Sequence, residues 1–231
     1  MLRRLTNLIT LLISSQNFTF LENSSFFEDK NLDALLIACN TTNACALDIL
    51  ENNLRIPCFD LINSVSEILN KKIIGVLATQ TPTRSSFYKN AINSKKENLK
   101  IFQQECPELV LELEREKLNF IKLNHLLDLY ITPLVNKNIE ELILGCSHYP
   151  LIYDFLRKKL DSNIKIIDPS VALIKKFNES FAIPETYRYE SISLENVKFF
   201  VTSERDEFAN KVKFWLGINK EIRLVNLRSN V

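Results

Sequence analysis

Glycine is scarce in this chain, with 3 residues in 231 and none before Gly75. Globular proteins average roughly 7% glycine. The scarcity excludes a glycine-rich phosphate-binding loop, so no nucleotide cofactor is implied. Any tight turns between strands and helices in the first third of the chain must use residues such as Asn and Ser.

Histidine and paired cysteine motifs are also sparse. The chain has two histidines, His125 and His148, and neither has the spacing of a metal ligand. The cysteines are odd in number, form no Cys-x-x-Cys motif, and stand at positions 39, 45, 58, 106 and 146. This pattern predicts free thiols in a reducing cytoplasm, without a structural metal. We expect no cofactor, because no pyridoxal-binding lysine motif is present either.

Long hydrophobic runs and excess charge are absent as well. No apolar run reaches 18 residues, so we expect no transmembrane helix. The net charge of +1 gives no reason to expect a nucleic-acid or membrane partner. Residues 1–13 have a basic head and a short apolar stretch, which we interpret as an amphipathic first helix rather than an export signal. A cytoplasmic location follows from this interpretation.

Short apolar runs alternate with amphipathic segments along most of the chain. The candidate strands are residues 17–22, 34–39, 56–61, 72–79, 98–103, 141–146, 163–168, 197–202 and 221–227. Helical spacing of apolar residues occurs in 43–51, 150–160 and 204–216, and the charged segment 104–138 is helix-rich. This alternation predicts an α/β fold with mostly parallel sheets.

Two cysteines stand in similar local settings. Cys39 and Cys146 each follow a short apolar run and a small residue, and each precedes hydrogen-bonding side chains and a helical pattern. Ligands of parallel α/β sheets bind outside the carboxyl ends of the strands, where both thiols are predicted to lie. A thiol at such a position, facing a helix N-terminus, is placed to become a thiolate. The similarity of these two segments, called the cysteine boxes below, also suggests that the chain has two related halves.

Two thiols on opposite faces of a substrate could exchange a proton at one carbon. One thiolate would remove the α-proton of an amino acid, and the opposite thiol would return a proton to the other face. Backbone amides and the side chains of Asn40, Thr41, Thr42 and Ser147 are suited to hold the substrate carboxylate. Two other interpretations stand beside this one. Each cysteine, Cys45, Cys58 and Cys106 in particular, could be a core residue, and one cysteine with His148 could serve a hydrolase or amidotransferase.

The two cysteine boxes resemble the catalytic motifs of glutamate racemases. Ala38-Cys39-Asn40-Thr41 is similar to the first motif of that family. Residues 144–151, read as Leu-Gly-Cys-Ser-His-Tyr-Pro-Leu, match its second motif with Ser in place of Thr. Weaker similarity runs from about residue 17 to the end of the chain. It includes the segment 74–79 with Arg84, Ser85 and Tyr88, Cys106-Pro107 followed by Glu114, and the segment 199–217.

The resemblance implies a fold, an activity and a set of site residues. It implies two similar parallel-sheet α/β domains related by pseudo-symmetry, the first made of residues 1–72 and 171–231 and the second of residues 73–170. The implied activity is cofactor-independent interconversion of L- and D-glutamate for peptidoglycan synthesis, with glutamate as the small-molecule partner and a homodimer as the usual family assembly. Cys39 and Cys146 would be the catalytic bases. His148 and Glu114 would assist Cys146, while Asn40, Thr41, Thr42 and Ser147 would bind substrate.

The chain also departs from the family pattern. The family's first strand carries Asp-Ser-Gly-x-Gly-Gly, and a Tyr-Gly pair precedes its first catalytic cysteine. Neither occurs here. In the second domain, Pro82 and Ser86 replace a substrate-binding Thr and a Gly. We therefore expect the first domain to be truncated at its N-terminus, with Met1–Leu5 matching the first helix of the family. The alternative hypothesis is a degenerate, weakly active or inactive relative that keeps only a binding role.

Overall fold

The structure, a computed structural model, describes residues 8–11, 26–27, 32–115, 117–183 and 197–225. The strands are β1 Leu8–Leu11, β2 Ala34–Ile37, β3 Cys58–Asp60, β4 Ile73–Ala78, β5 Lys100–Glu105, β6 Glu141–Gly145, β7 Lys165–Ile167, β8 Phe199–Val201 and β9 Ile222–Leu224. The helices are α1 Asn40–Asn53, α2 Leu61–Ile68, α3 Gln80–Arg84, α4 Phe87–Asn93, α5 Leu109–Leu113, α6 Phe120–Val135, α7 Tyr153–Lys159, α8 Pro169–Ser180 and α9 Arg205–Leu216, with a 3₁₀ helix at Tyr149–Ile152.

Every described strand pair is parallel. One sheet has the order β1-β2-β3, a second has the order β5-β4-β6-β7, and β8 pairs with β9. The predicted α/β class with parallel sheets is thereby confirmed. The pseudo-symmetry of two domains and their boundaries stay predictions.

The second sheet is covered on both faces at its centre, which is why β4 and β6 are almost continuously apolar. Side chains alternate across a strand. Leu142 and Leu144 of β6 accordingly pack in the cluster that contains α5, α6 and α7, while Ile143 packs with α2 and α4 on the other face. The centre of this sheet is therefore packed on both faces, and this packing holds the residues at its carboxyl end.

Most predicted elements are found within a few residues of their expected bounds. The helix predicted at 204–216 spans Arg205–Leu216, and Gly217 ends it with a left-handed φ of 68°. The strand predicted at 17–22 lies outside the described residues. The amphipathic helix predicted for residues 1–13 is wrong in part, because Leu8–Leu11 forms a strand paired with β2. Ile and Thr in that run favour strand, and the pairing satisfies one edge of β2.

None of the described helices is both long and apolar enough to cross a membrane, and the longest of them, α6, has 16 residues.

Candidate active site

Cys39 lies just beyond the carboxyl end of β2, at the N-cap of α1. Its backbone is extended, with φ −113° and ψ 119°, and its side chain makes no capping hydrogen bond. The thiol therefore does not cap the helix, and Cys39 is partly exposed. The first backbone N–H groups of a helix have no intrahelical acceptors and attract anions. The turn after Cys39 thus offers donors to a carboxylate.

Asn43 fixes this turn to the neighbouring strands. It is 1% exposed, and its Nδ2 donates to the carbonyls of Ile37 at 2.9 Å and Cys39 at 3.0 Å. Its Oδ1 accepts from the backbone N–H of Leu61 at 2.7 Å. Asn43 therefore ties the end of β2 to the start of α2 and sets the position of Cys39. Asn43 is not among the predicted site residues, because no local pattern of the sequence indicates its distant partner.

Cys146 occupies the equivalent position after β6, where it is 8% exposed. Tyr149 donates its backbone N–H to the Cys146 carbonyl at 3.1 Å and starts the 3₁₀ helix. The preceding residue must be small, because a Cβ on Gly145 would lie 2.6 Å from the Leu77 carbonyl oxygen and 3.1 Å from Cε2 of Tyr88. Gly145 thus lets β4 and the Tyr88 ring approach Cys146 closely.

His148 links Cys146 to Glu114. The Nδ1 atom of His148 lies 3.7 Å from the Cys146 Sγ atom, and its Nε2 lies 3.0 Å from Oε1 of Glu114. Burial by itself would lower the pKa of His148. The interactions with Cys146 and Glu114 outweigh burial and raise that pKa from 6.5 to about 10. The hydrogen bond from His148 lowers the pKa of Glu114. At neutral pH the imidazole is therefore protonated beside the Cys146 sulfur.

The sign of the pH dependence follows from these two shifts. His148 contributes stability that is fully present below pH 6.5 and is lost as the pH rises through about 10. Glu114 contributes stability that is present above its ordinary pKa of 4.5 and is lost as the pH falls through its lowered pKa. The pair thus stabilises the fold most strongly between about pH 5 and 6.5.

Glu114 stands at the C-terminal end of α5, close to a second glutamate whose side chain is buried. Glu112 is 1% exposed, and its carboxylate accepts from the Asn119 backbone N–H at 2.9 Å and from Arg115 at 3.2 Å. These bonds close the loop that follows α5, so they hold Glu114 in place. Lys211 of α9 also reaches Glu114, with its Nζ 3.8 Å from Oε2. No local pattern of residues indicates this contact between distant segments.

The first turn of α1 contacts two residues that follow β4, the strand paired with β6. Tyr88 donates its hydroxyl to Oδ1 of Asn40 at 2.5 Å, and the hydroxyls of Thr41 and Thr79 are 3.4 Å apart. Burial, followed by negative charge at Cys146, raises the pKa of Tyr88 well above 10. Tyr88 thus contacts the residue after Cys39, and its ring edge lies against Gly145, the residue before Cys146.

The predicted substrate-binding residues differ in exposure. Asn40 and Thr42 are each 3% exposed, whereas Thr41 and Ser147 are half-buried. Asn40, Thr41 and Thr42 share the first turn of α1, and Ser147 lies in the turn after β6. Their roles in binding stay predictions.

The other three cysteines differ from the two in the boxes. Burial raises the pKa of Cys58 to about 11 and that of Cys106 to about 12, as expected for protonated thiols packed in the protein. The interpretation of Cys45 as a core residue is wrong, because it is exposed on α1. All five cysteines are free, as the sequence predicts. Among the described residues, no cluster of His, Cys, Asp and Glu side chains is arranged to hold a metal ion.

The family of this parallel α/β fold, with a cysteine at two strand ends, is shown by the comparison with known sequences. The sequence model of the Asp/Glu/Hydantoin racemase family matches residues 18–177, and this chain belongs to that family. Among its relatives, the glutamate racemase of Prochlorococcus marinus strain NATL1A is 43% identical over 208 residues, which cover 90% of this chain and 78% of the relative.

Solved structures of glutamate racemases resemble this fold. The enzyme from Francisella tularensis, crystallised with D-glutamate, matches with a TM-score of 0.77 and 28% identity, over 90% of this chain and 79% of the other. An isoform from Bacillus anthracis matches with a TM-score of 0.75 and 26% identity, over the same shares. The resemblance to glutamate racemases noted in the sequence is thereby confirmed.

Proposed function

We propose that this protein interconverts L- and D-glutamate with two cysteines and no cofactor, and that it supplies D-glutamate for peptidoglycan synthesis in the cytoplasm. The observation that carries the proposal is the chain of contacts Cys146–His148–Glu114 at the end of β6, joined to the turn after Cys39 through Tyr88 and Asn40. The relatives named as glutamate racemases support the choice of substrate.

Each cysteine serves one face of the α-carbon. In one direction, the thiolate of Cys39 accepts the α-proton, so that the C–H bond breaks and an S–H bond forms. The thiol of Cys146 then gives its proton to the opposite face, leaving a thiolate. The reverse reaction exchanges the two roles, and no net proton is consumed. The protonated imidazole of His148 stabilises the Cys146 thiolate through the 3.7 Å contact between Nδ1 and Sγ.

The substrate carboxylate is held at the start of α1. Negative charge develops next to the α-carboxylate as the α-proton leaves, and fixed N–H donors stabilise it without having to reorganise. The first turn of α1 supplies such donors beside Cys39. Further polar groups of the substrate site come from the side chains of Asn40 and Thr41 and from the turn at Ser147. Tying this turn to α2 through Asn43 keeps the donors in place.

Proton NMR in deuterated water tests the proposal directly. L-Glutamate and D-glutamate are incubated separately with the purified protein. We expect the α-proton signal to be lost from both enantiomers, and polarimetry to show racemisation. Cys39→Ser and Cys146→Ser should each slow racemisation by about 10²- to 10⁴-fold, the usual contribution of a general acid or base. The control is Cys45→Ser, because Cys45 is an exposed thiol on the same helix as the first box. This variant should retain the parent rate.

Three results would count against the proposal. A folded parent that exchanges neither enantiomer would support a binding role without catalysis. Equal rates for the parent and both cysteine variants would exclude the two-thiol mechanism. Ammonia release from glutamine, lost in only one of the two cysteine variants, would instead indicate a hydrolase or amidotransferase.

A further inference from the structure

The carboxamide of Asn40 has one satisfied end and one unsatisfied end. Its Oδ1 accepts the hydroxyl of Tyr88 at 2.5 Å. Its Nδ2 is buried and has no hydrogen-bond partner among the described residues. Leaving a buried amide donor unpaired is costly, so such a group calls for an acceptor that is not among the described residues, and a bound ligand can supply one. Asn40 directly follows Cys39, which places this free donor next to the predicted reacting thiol.

Tyr88 is held rigidly enough to fix the orientation of that amide. Its side chain is 0% exposed and packs with Ile62, Val76 and Ile143 in the core between α2, α4 and the second sheet. Its ring edge fits against Gly145, where a Cβ would come within 3.1 Å. A buried phenol at neutral pH is protonated and donates its hydrogen. The acceptor on Asn40 is therefore its carbonyl oxygen, and the amide nitrogen is left for the ligand.

We propose that Tyr88 is a positioning residue that orients Asn40 so that its Nδ2 donates to the α-carboxylate of the substrate rather than facing the substrate ammonium. A side-chain NH₂ group donates only, so it can bond a carboxylate but not an ammonium group, which also only donates. This inference rests on the proposed function and makes it more specific, because it names the residue that sets which end of the Asn40 amide faces the carboxylate. It also explains why a second-domain tyrosine contacts the first cysteine box.

Two glutamate analogues separate the alternatives. Glutarate keeps both carboxylates and lacks the amino group, whereas 4-aminobutyrate keeps the amino group and lacks the α-carboxylate. Their dissociation constants are measured by NMR titration of the parent and of Tyr88→Phe, which removes only the hydroxyl. We expect glutarate to bind roughly 3- to 10-fold more weakly to Tyr88→Phe, as for one lost hydrogen bond, and 4-aminobutyrate to change less than about twofold. The KM for glutamate should rise by a similar factor, with kcat changed less.

The matched control is Tyr130→Phe. Tyr130 is also buried in the core beside the second sheet, but its hydroxyl lies 3.5 Å from the Glu108 backbone nitrogen rather than near Asn40. Both variants lose a buried hydroxyl, so a purely structural effect would appear in both. We expect Tyr130→Phe to change the thermal stability and to leave the affinity for both analogues unchanged.

A second variant, Asn40→Asp, tests the orientation without altering Tyr88. A carboxylate in place of the amide should weaken glutarate binding by more than about 10-fold, because like charges then face each other. It should leave 4-aminobutyrate binding equal or tighter. The inference would be overturned if Tyr88→Phe bound both analogues more weakly by the same factor, or if its affinity for glutarate were unchanged. In either case, glutamate turnover by the parent would leave the proposed function intact. A parent that neither racemises glutamate nor exchanges its α-proton would overturn the proposed function and, with it, this inference.

Discussion

Replacing Asn43 by Ala tests whether this buried amide fixes the first cysteine box. The change removes three hydrogen bonds, two to the carbonyls of Ile37 and Cys39 and one from the N–H of Leu61. The Leu61 N–H loses its acceptor at a position that is 1% exposed, so water cannot readily replace it, whereas the Cys39 carbonyl keeps its bond from the backbone N–H of residue 43.

The expected cost can be worked out from these contacts. Each hydrogen bond contributes about 1 kcal/mol net, so the three together contribute about 3 kcal/mol, and the orphaned buried groups add to this cost. Alanine regains about 0.6 kcal/mol through its higher helix propensity. We therefore expect the free energy of unfolding to fall by about 3 kcal/mol, which lowers Tm by roughly 6–12 °C for a chain of this length.

Thermal and urea unfolding followed by circular dichroism would measure this loss, and Asn53→Ala is the matched control. Asn53 lies on the same helix but makes one exposed bond, from Nδ2 to the Ile49 carbonyl at 2.8 Å. Its substitution should change stability by less than about 0.5 kcal/mol. The active fraction of Asn43→Ala should also lose rate, because Cys39 is no longer held in place. Similar stabilities for the two variants would refute the reasoning.

Three further predictions follow from the second sheet and its loops. Glu114→Gln should lower the pKa of His148 from about 10 and cost about 1 kcal/mol of stability near pH 6. Urea unfolding across the pH range should show the stability difference from the parent shrinking toward pH 10. Gly145→Ala should lower stability by about 1–3 kcal/mol in a thermal melt, because the new Cβ would lie 2.6 Å from the Leu77 carbonyl; a melt like the parent's would contradict this. Ser86→Gly should raise the stability by about 0.5–1 kcal/mol, since Ser86 adopts a left-handed φ of 53° that glycine tolerates better; an unchanged or lowered Tm would count against it.

Much of the fold follows from local sequence. The apolar runs that form β2, β4 and β6 are short and continuous because each strand is buried on both faces, and such runs are visible without any tertiary contact. The Leu8–Leu11 strand was missed because its four residues fit a helix equally well until pairing with β2 is known.

The sequence by itself determined where the two thiols lie, because a cysteine that follows an apolar run and precedes a helical pattern must stand at a strand end. It also indicated His148, two positions after Cys146, and the resemblance to a known family indicated Glu114. Only the tertiary structure decided what holds these groups. Tyr88 meets Asn40 across 48 positions of chain, and Lys211 reaches Glu114 from a different helix. Hydrogen-bond partners between distant segments depend on how helices pack on the sheets, and no local pattern of residues encodes that packing.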